Sequence, residues 1–241
     1  MNVKNTPNPL SLKENVQMHT LRHKIILVTG ASRGFGYEAA LQLASKGAHL
    51  IITARTLGAL DALSDKILET NGTVTVVPLD LCKEKDFQIV SREIYEKFGK
   101  IDMLVHSASS AIPMAPVETI QTKELIKFFD NNVFATQRVI QMIDPLLKIT
   151  KKSIALFIQD TTNSQSKKFL AVYNATRAAS REIIGAYQAE RKRLGPTVLT
   201  FEPNPMPTKT RSVLFPGENK NGLSTCKSEA QRMLEFVSCY L

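Results

Sequence analysis

The sequence predicts a doubly wound α/β fold around a mostly parallel sheet, and three observations carry that prediction. From Lys24 onward, short runs of β-branched and aliphatic residues alternate with longer amphipathic stretches, the pattern of repeated strand-helix-strand units. The runs are largely apolar, which suits strands covered by helices on both faces. The first run opens into a glycine-rich turn followed by an Ala- and Leu-rich stretch.

Taken in order, Ile-Ile-Leu-Val-Thr gives a strand over 25–29 and the Ala/Leu stretch a helix over 36–46. His-Leu-Ile-Ile-Thr gives a strand over 49–53, followed by an amphipathic helix over 57–71. Thr-Val-Thr-Val-Val-Pro predicts a third strand over 73–78, and the charged, periodic stretch after it a helix over 83–99. Met-Leu-Val-His marks a strand over 103–106, with one long helix over 122–150 behind it. Ser-Ile-Ala-Leu-Phe-Ile gives a strand over 153–158 and the periodicity beyond it a helix over 166–194. Thr-Val-Leu-Thr-Phe completes six strands at 197–201, and a last helix is expected near 227–238. Residues 203–228 are rich in Pro, Gly, Asn, Lys and Thr with little periodicity, which predicts a long loop or lid.

With 241 residues, 43% of them hydrophobic and 22% charged, the chain has enough apolar material for a large core and lacks the composition of a collagen, coiled coil or disordered protein. Residues 1–22 read as a polar tail without the apolar core of a secretory signal, and 23–241 as a single domain. No apolar run approaches the ~18 residues of a membrane span, so no membrane association is expected. The three cysteines, Cys82, Cys226 and Cys239, lack metal or disulfide spacing, which points to a reducing cytoplasm. Burial is the expected state of Cys82. His19, His23, His49 and His106 form no metal motif; His106 is expected to border the cleft in a local hydrogen-bonding role, and no metal is assigned.

The net charge of +9 favours anionic partners. Its clusters, Lys151-Lys152, Lys167-Lys168 and Arg191-Lys192-Arg193, have no aromatic interleaving and read as solvated helix ends and loops, so no nucleic-acid partner is expected.

The turn Thr29-Gly30-Ala31-Ser32-Arg33-Gly34-Phe35-Gly36 joins a strand to a helix N-terminus, where backbone N–H groups and the positive end of the helix dipole face a phosphate. That context predicts a Rossmann-type dinucleotide site. Arg33 lies in the turn and Arg55 ends the second strand, where no acid is present to hold a ribose 2′-hydroxyl. Guanidinium groups suit a 2′-phosphate, so NADP is expected in preference to NAD.

These residues resemble the short-chain dehydrogenase/reductase family over about residues 22–238. The turn has the TGxxxGxG pattern, Asp80-Leu81 stands where the family contacts adenine, and His106-Ser107-Ala108-Ser109 occupies the place of an NNAG-like turn. Pro203-Asn204-Pro205-Met206-Pro207-Thr208 stands where PGxxxT is usual. The resemblance implies a cofactor contacted by Thr29, Gly30, Ser32, Arg33, Gly34, Phe35, Gly36, Arg55, Asp80, Leu81, Ser107, Ala108, Tyr173, Arg177, Pro203 and Thr208. It also implies hydride transfer between nicotinamide and a small carbonyl or alcohol substrate, with Tyr173 as acid/base, Arg177 in place of the lysine that binds the ribose and lowers the tyrosine pKa, and Asn132 supporting a proton relay.

Tyr173 and Arg177, four residues apart, fall on one helix face. The family's serine, thirteen residues before the tyrosine, is Asp160 here, with Thr161 beside it. An ionised Asp160 accepts hydrogen bonds only and opposes the negative charge that develops on a carbonyl oxygen, whereas Thr161 would present a hydroxyl. The alternatives are therefore an NADP-dependent oxidoreductase and a catalytically impaired relative that binds dinucleotide as a structural ligand or sensor. The family's seventh strand is not found, which favours a homodimer over the tetramer.

Overall fold

The computed structural model describes residues 21–160 and 168–241. The expectations for residues 1–20, for Thr161 and for the first residues of the 166–194 helix lie outside the described residues.

Six parallel strands form one sheet in the order β3-β2-β1-β4-β5-β6, where β1 is Ile25–Thr29, β2 His49–Ala54, β3 Thr73–Pro78, β4 Met103–His106, β5 Ile154–Ile158 and β6 Thr197–Phe201. The chain builds outward from β1 through β2 to β3, then returns to place β4 on the other side of β1. The loops leaving β1 and β4 therefore diverge and open a crevice at the carboxyl ends of the strands. Register aligns those ends: Thr29 faces Thr53 of β2 and His106 of β4.

Alternation along β1 sends Ile26 and Val28 to one face and Leu27 to the other. On the first face α1 (Gly34–Ser45), α2 (Leu57–Glu69) and α8 (Cys226–Ser238) bury Leu43, Leu63 and Met233. On the second, α3 (Glu84–Phe98), α5 (Ala135–Leu147) and α6 (Ala171–Arg191) pack Ile94, Ile143 and Ile184 against Phe157, whose side chain is fully buried.

Three expectations need correction. The helix expected over 122–150 is α4 (Thr122–Phe129), a π-helical turn (Asp130–Phe134) and then α5. The side chain of Asn132 bonds the backbone of Ser110 from both its oxygen and its nitrogen, and the wide turn places it there. The helix expected from 166 begins at Ala171, because Phe169 has φ of 67°, a left-handed conformation a helix cannot propagate through. The loop expected over 203–228 contains α7 (Lys209–Leu214) and the first turn of α8, each capped by a threonine: Thr208 accepts from the Arg211 N–H and Thr225 from the Ser228 N–H. Other boundaries differ by one to three residues, as helix ends fray. No helix among the described residues is long and apolar enough to cross a membrane.

Asp102 ties three strands at the far end of the sheet. Its buried carboxylate accepts from the Ile25 N–H at 2.9 Å and from Lys100 Nζ at 2.9 Å, with Lys24 Nζ at 3.8 Å, while its own carbonyl accepts from the Ile154 N–H. Asp102→Ala strands a half-buried N–H and removes the partner of two half-solvated lysines. It should therefore cost about 2–3 kcal/mol, read as a lower urea midpoint at unchanged slope.

Candidate active site

A cleft of about 250 Å³ opens at the carboxyl ends of β1, β2, β4, β5 and β6. Its floor is the turn after β1. Gly30 has φ of 71°, and a Cβ there would stand 2.8 Å from Cα and N of Ala108, so two backbones cross with no room for a side chain. A Cβ on Gly36 would stand 2.4 Å from the Gly30 carbonyl oxygen, which fixes how closely α1 approaches the turn. The N-terminus of α1 has no side-chain cap and no acidic residue in its first turn, so its N–H groups and dipole point into the cleft uncompensated.

The structure gathers nearly all the residues singled out from the sequence. Thr29, Gly30, Ser32, Arg33, Gly34 and Phe35 line the floor. Arg55, Asp80 and Leu81 line the end beside β2, and Ser107 and Ala108 the middle. Tyr173, Arg177, Pro203, Thr208 and Asp160 line the end beside β5 and β6. Gly36 lies beneath the turn rather than on the cleft wall.

Arg33 and Arg55 are exposed, and neither has a carboxylate partner among the described residues. Asp80 Oδ1 accepts from the Cys82 N–H at 3.1 Å. Cys82 is half-buried rather than buried, because its thiol faces the cleft and donates to Asn131 Oδ1 at 3.3 Å. Burial first, then Asp130 and Asp80, push that thiol up to about 11, so it stays protonated.

At the other end the Tyr173 hydroxyl donates to Asp160 Oδ2 at 2.7 Å. Tyr173 is only 4% exposed. Burial pushes its phenol well above the ordinary tyrosine range; Arg177 pulls it back, and Asp160 raises it further through its charge and hydrogen bond. Arg177 thus acts in the expected direction, and burial with the aspartate outweighs it. Arg177 is itself buried: one terminal nitrogen donates to the Ile158 carbonyl at 3.0 Å and reaches Gln159 Oε1 at 3.5 Å, while its Nε has no partner among the described residues.

Asn132 does not line the cleft. Its side chain is used by Ser110 and by Thr176 Oγ1, and its carbonyl accepts from the hydroxyls of Thr136 at 2.6 Å and Ser180 at 3.0 Å. His106, expected to border the cleft, sits behind it. Its Nδ1 meets Thr29 Oγ1 at 2.8 Å and its Nε2 meets Thr136 Oγ1 at 3.2 Å. Sequence reasoning passed over Ser110, Gln159 and Arg211, which also line the cleft. The position of Arg211 just after Thr208 was the one available signal.

The sequence model for short chain dehydrogenase matches residues 24–219. An uncharacterized oxidoreductase of Listeria monocytogenes is 25% identical over 208 residues, covering 86% of this chain and 84% of its own. Among solved structures, the Escherichia coli oxidoreductase yciK superposes with a TM-score of 0.85 at 25% identity, covering 92% of this chain and 91% of its own. A short chain dehydrogenase structure from Escherichia coli CFT073 in complex with NADPH gives 0.83 at 27%, covering 89% and 90%.

Burial, with the charge of Arg177 behind it, holds the imidazole of His106 down to about 3 against an ordinary 6.5. Between those values the unfolded chain takes up a proton that the folded chain refuses. This contribution to stability is complete above pH 6.5 and is lost as the pH falls toward 3. The His106 ring resonances should not titrate between pH 8 and 5, and His106→Asn should flatten the loss of unfolding free energy below pH 6.5.

Proposed function

The chain belongs to the short chain dehydrogenase family, and from that membership and the geometry of its cleft we propose that it is an NADP(H)-dependent oxidoreductase acting between a carbonyl and an alcohol. The observation that carries the reading is the convergence, in one cleft, of the glycine turn, the exposed Arg33 and Arg55 and the Tyr173/Arg177 pair.

The residues present fit the dinucleotide. Gly30 and Gly36 let the turn and α1 close up tightly beneath the cleft, the bare N-terminus of α1 suits the pyrophosphate, and Arg33 and Arg55 suit a 2′-phosphate. The Nε of Arg177, unpartnered among the described residues, is a buried donor suited to a ribose hydroxyl. When bound, the nicotinamide supplies or accepts the hydride.

Tyr173 holds the proton that a carbonyl oxygen needs, and Asp160 controls its release. While Asp160 is ionised it takes the only hydrogen the phenol can donate, so a carbonyl oxygen meets a lone pair and a nearby negative charge. A neutral hydroxyl at this position, as in the family's serine, would leave the phenol hydrogen for the substrate. Reduction is therefore slow with the carboxylate beside the phenol. In the oxidising direction an ionised Asp160 is the ready acceptor: the alcohol proton passes to the Tyr173 oxygen as the phenol proton passes to Asp160 Oδ2. Arg177 steadies the charge from its anchor on Ile158. Asn132 acts by holding the Ser110 turn and α6 in place. The same Tyr173–Asp160 bond favours a second reading, a dinucleotide-binding protein with impaired chemistry, and turnover separates the two. A small-molecule substrate, the cytoplasm and a homodimer complete the proposal; the basic surface is read as solvated rather than as a nucleic-acid site.

NADPH should bind at least about tenfold more tightly than NADH by calorimetry at moderate salt, and Arg33→Ala/Arg55→Ala should abolish the preference. Equal affinities in the unmodified protein would defeat the NADP assignment. Asp160→Ser should raise carbonyl reduction at pH 7 by roughly tenfold or more, with Arg177→Lys tested in the same background. Tyr173→Phe should lower turnover by about 100-fold or more. NADPH binding without turnover across a broad carbonyl panel would select the non-catalytic reading.

A further inference from the structure

The wall of the cleft beside β6 is the run from Pro203 to Thr208, and it departs from the family's pattern at Asn204. Nothing in the reaction scheme accounts for that asparagine or for Glu229, an acidic residue on α8 that is only 3% exposed. The two meet. Glu229 Oε2 accepts from the Asn204 backbone N–H at 3.0 Å, and Oε1 accepts from the Asn204 side-chain amide at 2.9 Å. Arg232, one turn along α8, donates to Glu229 Oε2 from Nε at 2.9 Å and from a terminal nitrogen at 2.6 Å. The same terminal nitrogen donates to the Glu202 carbonyl at 2.6 Å.

A buried carboxylate persists only where donors use its lone pairs, and every donor seen here comes from the loop or from the arginine that also grips the loop. Burial raises the Glu229 pKa, but Arg232 and Asn204 outweigh it and hold the group below its ordinary value, so it stays ionised. Residues 202 and 204 are thus held on both sides of Pro203, and the Ser224 N–H adds a bond to the Pro205 carbonyl. The guanidinium of Arg232 lies 4.5 Å over the ring of Phe201, which stacks at 6.0 Å on Phe35 in the glycine turn. The clamp on one wall of the cleft therefore reaches the floor.

We propose that Glu229 is a positioning residue which, through Asn204 and Arg232, fixes the Pro203–Met206 wall at the height that receives the nicotinamide half of NADP(H). The inference rests on the cofactor reading above. Strand order gives it direction: the wall follows edge strand β6, whereas Arg55 follows β2 on the far side of β1, so the clamp acts on the nicotinamide half and not on the adenosine half. Asn204 replaces a glycine to advantage, because a glycine keeps the N–H and forfeits the amide that reaches Oε1.

The test uses the full chain and two variants, the isosteric Glu229→Gln and the milder Asn204→Ala, with two probes, NADPH and adenosine 2′,5′-bisphosphate. Calorimetry should find NADPH binding weakened about fivefold or more in Glu229→Gln and less in Asn204→Ala, with bisphosphate affinity unchanged in both. Hydrogen exchange should quicken over 202–206. If both probes weaken alike, or NADPH affinity and loop exchange match the unmodified protein, the proposal is overturned. If the unmodified protein binds the bisphosphate and not NADPH, the clamp serves no nicotinamide and the proposal fails while the adenosine site stands. If it binds neither, the cofactor reading itself has failed.

Discussion

The backbone crossing at Gly30 and Ala108 is the constraint on which the site depends. The chain leaves β1 toward β2 and later leaves β4 toward β5, so the loops following β1 and β4 must part above one another. They pass so closely that no side chain fits between them. That contact sets the floor of the cleft, and the equally tight seat of Gly36 sets the angle at which α1 presents its N-terminus. Behind the crossing runs a buried polar chain: Thr29 to His106, His106 to Thr136, Thr136 to the Asn132 carbonyl, and the Asn132 amide to Thr176 on α6. Each link satisfies a group that would otherwise be stranded in an apolar core, and together they join the glycine turn to the helix that carries Tyr173. A neutral His106 suits this network, since one ring nitrogen can donate and the other accept between two hydroxyls.

Much of this was legible in the sequence, and the boundary of legibility is physical. The strands and the glycine turn were readable because their signals are local: a buried parallel strand must be apolar along its length, and a turn that admits no Cβ must use glycine. The π-helical turn at Asp130–Phe134 was not readable, because it exists for the sake of a bond between Asn132 and Ser110, twenty-two residues away. The short helix after Thr208 was too brief for periodicity to register, although the cap that starts it is an ordinary threonine. The same holds for Glu229: an acid on an amphipathic helix reads as solvent-facing, and only the fold brings it to Asn204.

The departures at the two catalytic positions form a unit. Ile158, Gln159 and Asp160 leave the end of β5 in succession, and each is tied to α6: Arg177 holds the first two and Tyr173 the third. A lysine in place of Arg177 is shorter and would have to reach the Ile158 carbonyl from a single ammonium, so the strand-end anchor would change as the site regained a compact cation. A serine in place of Asp160 would leave that anchor untouched while removing the charge that commits the phenol hydrogen. The effects of the two substitutions should therefore be non-additive, because they share one strand end and one phenol. Arginine at 177 is then best understood with aspartate at 160: the guanidinium pulls the phenol pKa down where burial and the carboxylate push it up, and it holds in place the strand end from which the carboxylate acts.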